Sequence, residues 1–177
     1  MNYVICSLLA FGFWHWLYES TLAPSFRRVL RLELLALRAE LAGLESRLVD
    51  SRGARAFQVL SESLGTLGMF LNRLDVVTLA AVEVEIRRNP TLRELAESRT
   101  TLFQSCGVDA LRDLRGRSLR LAARAVAVNS GAWCVFIIPP ALAWMGMRGA
   151  GRLVAASLSL SGSDLTRIAP GLSRAAP

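Results

Sequence analysis

Charge is absent from Met1 to Tyr18 and again over the 23 residues from Ala125 to Met147, while leucine recurs at intervals of four and three through much of what lies between. Leu30, Leu34, Leu37, Leu41, Leu44 and Leu48 form one such series. Leu60, Leu64, Leu67, Leu71 and Leu74 form a second, which Thr78 and Ala81 prolong. That alternation places every member on one side of a helix, the a/d stripe of a heptad pattern. The only turn signal between the stripes is Val49–Arg55, with Gly53 as the breaker. Two stripes joined by so short a turn predict an antiparallel pair whose leucines bury one another.

Asn89-Pro90 predicts the end of the second helix, because proline disfavours helical backbone in the residue before it. Thr91 with Glu94 fits a capping box and opens a third helix to about Gln104. After Gly107, a fourth starts near Asp109 and carries Leu111, Leu114, Ser118, Leu121 and Ala125 at heptad spacing, continuing into the second uncharged run. Phe26 extends the first stripe back towards the first run, so that run and the helix after it form one rod softened at Pro24.

A hydrocarbon core about 30 Å thick needs roughly 20 apolar helical residues, so each uncharged run can cross a bilayer. The expected fold is therefore all-α, with two transmembrane helices carrying an antiparallel, coiled-coil-like helical bundle. The expected units are a first span at 1–22, a bundle at 23–124, a second span at 125–147 and a disordered Ser-, Gly-, Ala- and Pro-rich tail at 148–177. Arg27, Arg28 and Arg31 follow the first run, and Arg115, Arg117, Arg120 and Arg124 precede the second. Flanking arginines are held on the cytoplasmic side, which predicts a multi-pass protein of the bacterial inner membrane with its central region in the cytoplasm. A cleaved signal peptide is disfavoured by the lack of a basic start.

Within the second run, Asn129 and Ser130 are polar, and Pro139-Pro140 removes two backbone donors, so these four are candidates for a membrane kink or a pore lining. A packing kink is the simpler account. In the first run, Trp14, Trp16 and Tyr18 suit an interfacial belt. His15 and Glu19 share a helical face and form a candidate interfacial pair.

Composition narrows the chemistry. All 21 basic residues are arginine, and the net charge is +7. Between Glu19 and Arg124, however, 17 arginines face 13 acids, a mixed surface that speaks for solvated helices rather than nucleic-acid binding. A single histidine and three scattered cysteines exclude paired-histidine zinc sites and CxxC centres, and no phosphate loop, dinucleotide loop or nucleophile elbow occurs. The acidic pairs Glu83/Glu85, Glu94/Glu97 and Asp109/Asp113 lie among arginines and suit ion pairing. No cofactor, metal or small-molecule substrate is expected, and the expectation is a protein that is not an enzyme.

The segments "APSFRRVLRLELLALRAEL" and "VNSGAWCVFIIPPALAW", with a helical middle between them, resemble uncharacterised bacterial two-span membrane proteins, among them small membrane effectors of retron-type anti-phage systems. The resemblance implies membrane damage by a released effector and carries no residue role. The primary expectation is a non-enzymatic membrane protein whose helical region mediates self-association or partner binding. The expected partners are membrane lipid and either further copies of the chain or another protein. The alternatives are a pore-forming or membrane-perturbing effector and an accessory subunit of a larger membrane complex.

Overall fold

The computed structural model describes residues 2–45 and 50–131. Helix α1, Asn2–Leu17, runs through a single π turn, Tyr18–Leu22, into α2, Ala23–Leu44. Backbone angles stay helical at Leu17, Leu22 and Ala23, so the three segments form one rod. The π turn answers Pro24. An α-helical proline would strike the carbonyl four residues back and offer it no N–H. The turn widens instead, and the N–H of Ala23 bonds the carbonyl of Tyr18, five residues away.

Helix α3, Ser51–Phe70, returns antiparallel to α2. Arg38 donates to the carbonyl of Leu64 at 2.8 Å, and Leu34 lies beside Gly68. Helices α4, Val76–Arg88, and α5, Pro90–Ser105, form a hairpin that leans on the bundle mainly through α5. Helix α6, Asp109–Asn129, then runs back along α2. Three cross-links set its register: Arg27 to Asn129 at 3.0 Å, Arg124 to Glu33 at 2.6 Å and Arg117 to Glu40 at 2.7 Å. As the α2 number rises the α6 number falls, so the two helices are antiparallel.

The core lies between α2, α3 and α6. Leu30, Leu34, Leu37 and Leu41 meet Leu60, Leu64 and Leu67 of α3, Leu71 and Leu74 just beyond it, and Leu111, Leu114, Leu121, Ala122, Ala125 and Val126 of α6. Each buried leucine contributes on the order of 1.5–3 kcal/mol relative to exposure, which makes this seam the main stabilising term. Leu44 packs at its edge, and Leu48 lies outside the described residues. Phe103 and Cys106 bring the end of α5 into the same core.

Two expected boundaries move. Gly53 is not a breaker: it sits buried in the first turn of α3. The second leucine helix does not run on to Asn89. It stops at Phe70, and Asp75 starts a new helix by accepting the N–H of Thr78 at 2.7 Å. At the next junction the cap is Asn89, whose side chain accepts from the N–H of Thr91 at 3.1 Å ahead of Pro90 at the first helical position.

The two expected membrane spans are corrected. Helix α1 has 16 residues, about 24 Å of rise, and among the described residues no helix is long and apolar enough to cross a membrane. The second run is not one helix. Its first residues, Ala125 and Val126, are core of the bundle, and α6 ends at Asn129. Gly131 follows with φ +60°, the left-handed conformation that terminates helices. The multi-pass inner-membrane location and the cytoplasmic middle were inferred from those spans and fall with them. Ala132–Met147, including Pro139 and Pro140, and the tail 148–177 lie outside the described residues.

Candidate interaction site

Where α6 ends, four chain segments meet in a polar joint. Asn129 accepts from Nε of Arg27 at 3.0 Å and donates its amide to the carbonyls of Leu71 and Leu74 at 2.7 and 3.2 Å. Those carbonyls belong to the residues just after α3, so Asn129 satisfies the helix-terminal acceptors that no intrahelical donor reaches. Ser130 donates to the carbonyl of Val126 at 2.7 Å and accepts the N–H of Val76 at 3.2 Å, which fixes the start of α4. Asn129 and Ser130 thus tie α6 to α2, to the exit of α3 and to the start of α4.

The π turn closes the joint from the other side. Tyr18 donates its hydroxyl to the carbonyl of Val128 at 2.9 Å. Glu19 pairs with Arg27 at 3.6 Å, and a Cβ placed on Gly131 would come within 2.8 Å of its carboxylate. Glycine is required there twice, for its positive φ and for this approach. The expected His15–Glu19 pair does not form: Glu19 turns to Arg27, and His15 stacks on Phe11 with ring centroids 6.3 Å apart. Nδ1 of His15 is shielded from solvent and has no hydrogen-bond partner.

Beyond the joint, among the described elements, α1 packs extensively only against the π turn that continues it. Its surface is apolar all round. Ile5, Leu9, Phe13 and Trp16 are 50 to 69% exposed, and their spacing of four, four and three residues sets them in one row. Phe13 and Trp16 touch along it, with centroids 6.1 Å apart. Phe11, His15 and Tyr18, spaced by four and three, line the opposite side and are half-buried. A helix apolar on every side is one that another apolar surface covers. Of the leucines offered for association, all but Leu44 and Leu48 are, by contrast, buried inside one chain.

Other polar contacts tie helices together or lie along their surfaces. Arg115 lies over Phe103 at 4.5 Å and donates to Thr100 at 3.2 Å, holding α6 to α5. Burial lowers its pKa from the ordinary value, and Cys106 acts in the other direction. Asp109 pairs with Arg112, Asp113 with Arg117 and Glu83 with Arg87, all on helix surfaces. Among the described residues no three His, Cys, Asp or Glu side chains are grouped to hold a metal ion.

No protein-family model matches this chain, no curated protein matches it, and no solved structure matches its fold.

Of the residues that make this site, Tyr18 and Arg27 were not grouped with Gly131 because both lie more than 100 positions from the end of α6 that they meet. Asn129-Ser130-Gly131 does carry a local signal: a polar pair followed by glycine at the end of a heptad series is a helix stop.

Proposed function

We propose that this chain is a non-enzymatic helical interaction module that associates with a second copy of itself through the outer row of α1. The supporting observation is the exposed series Ile5, Leu9, Phe13 and Trp16, one row of α1 that the other described helices leave uncovered. Helix α1 carries no charged side chain, so the same row on two chains meets without electrostatic conflict and without a buried, unpaired ion. An isologous contact of this kind is the commonest way in which identical chains pair. The a/d leucines do not compete for this role, since they are spent on folding.

Sedimentation of the full chain tests the proposal. The wild-type chain associates in a concentration-dependent way, Phe13→Glu shifts it to a monomer with an unchanged melting curve, and Met69→Glu, an exposed position on α3, leaves association intact. A wild-type chain that sediments as a monomer at every concentration overturns it.

A further inference from the structure

We propose that the second copy lies parallel to the first and in register, and that their contact continues from the outer row of α1 down the outer face of α2, where Arg28 of each chain pairs with Glu33 of the other. This inference rests on the self-association proposed above and names its partner surface and its orientation.

The two faces are continuous. Five α-helical turns take about 18 residues, and the π turn adds one to the rod. Residues that far apart share a line along it: Leu9 with Arg28, Phe13 with Leu32, and Trp16 with Leu35. Leu32 and Leu35 are 67 and 57% exposed. Val29, Leu32, Ala36, Ala39 and Gly43 recur at intervals of three and four, and all are exposed. They form a second heptad stripe on α2, facing away from the buried one, which the other described helices leave uncovered. The row from Ile5 to Trp16 rises only about 16 Å, and carried on to Ala39 the same line rises about 50 Å. A stable interface engages roughly 20–30 residues a side, which the α1 row alone does not supply.

Charge selects both the occupant and its direction. On the side towards α6 the stripe is flanked by Glu33 and Glu40, which reach Arg124 and Arg117. On the side towards α3 it is flanked by Arg28, Arg31 and Arg38, the last of which donates to the carbonyl of Leu64. An isologous contact must be self-complementary. When two such helices run the same way, the acidic flank of each meets the basic flank of the other; when they run in opposite ways, like meets like. Arg28 and Glu33 are five positions apart on opposite edges of the stripe, the g-to-e′ relation of parallel paired helices. Arg28 is exposed and has no ion-pair or hydrogen-bond partner among the described residues. Glu33 receives Arg124 on Oε2, which leaves Oε1 for a second guanidinium.

Two measurements on the full chain test this beside the sedimentation of the wild type. The first exchanges charges. Arg28→Glu alone and Glu33→Arg alone should each weaken association by on the order of tenfold, and an equimolar mixture of the two should restore it, because the mixed pair regains both contacts. The second reads direction. In a Cys6→Ser/Cys134→Ser background, with Cys106 left in the core, Leu9→Cys and Ala39→Cys should each be joined to its own counterpart in the second copy by a short bismaleimide, and Met69→Cys should not. The two probes lie about 45 Å apart along the rod, so an antiparallel pair can link one of them at most. The cysteine variants change no charge, so they decide the matter even where Glu33→Arg, which also loses Arg124, unsettles the fold. Because the leucine core closes within one chain, they should keep the wild-type melting curve. An associating chain that links at only one of the two positions or at neither, or a mixture that associates no more tightly than its components, overturns this inference and leaves self-association standing. A wild-type chain that is monomeric at every concentration overturns both.

Discussion

Arg27 and Asn129, 102 positions apart, meet through a single hydrogen bond of 3.0 Å from the guanidinium Nε to the amide oxygen. The same amide donates to Leu71 and Leu74, so one side chain connects α2, α6 and the exit of α3. Asn129→Ala removes all three bonds and leaves two carbonyls without their donor. The expected loss is about 1–3 kcal/mol, read as a lower denaturant midpoint at unchanged slope. Asn129→Asp keeps the acceptor for Arg27 but sets a carboxylate against both carbonyls, so it should not restore wild-type stability.

Gly131→Ala should be destabilising for two separable reasons. A residue with a Cβ at φ +60° costs about 1–2 kcal/mol. The added Cβ also lies 2.8 Å from the Glu19 carboxylate. Adding Glu19→Ala to that variant relieves the contact and recovers part of the loss, while the backbone cost remains. Equal melting temperatures for the single and double variants would show that the contact carries no weight.

Leucines of the buried seam and leucines on the outer surface should respond differently to truncation. Within the seam, Leu64→Ala of α3 is expected to cost about 2–5 kcal/mol, because its side chain is buried. Leu32→Ala, on the outer surface of α2, should change stability by less than about 0.5 kcal/mol. Chemical denaturation of the two variants separates folding residues from surface ones.

The ion pairs along α2 and α6 specify register more than they stabilise. Glu33 and Arg124 approach to 2.6 Å, yet both side chains are largely exposed, so the pair is worth about 0.2–1 kcal/mol. Glu33→Arg alone places two arginines together and should lower the melting temperature. Combining it with Arg124→Glu should restore the value. High salt should narrow the difference between single and double variants, since exposed charges are screened.

The parts legible in the sequence were those written in local periodicity. The leucine series place α2, α3 and α6 correctly because burial of one helical face demands that spacing, and Asn89-Pro90 marks a real junction because proline acts on its immediate neighbour. The break at 71–75 was hidden: Leu71 and Leu74 keep the heptad spacing and remain buried, while the backbone between α3 and α4 is set by the Asp75 cap and by Ser130 from a distant helix.

The uncharged runs misled for a physical reason. Absence of charge follows from burial in any apolar surrounding, protein as well as lipid. Ala125 and Val126 are uncharged because they fill the bundle core, and Asn129 then spends its amide on ending α3 rather than on lining a span. The polar joint was illegible because its members come from both ends of the described chain, and only the antiparallel docking of α6 on α2 brings them together.

The π turn at Tyr18–Leu22 adds one residue to a rod that is otherwise α-helical, and one residue is about 100° of rotation. It therefore works as an angular setting between the bundle and its projecting shaft: the turn decides which compass direction the Ile5–Trp16 row faces, while the leucine seam stays where it is. Deleting a residue between Ser20 and Leu22 would swing both faces of α1 by that angle without altering one side chain on them, and would carry Tyr18 away from the carbonyl of Val128.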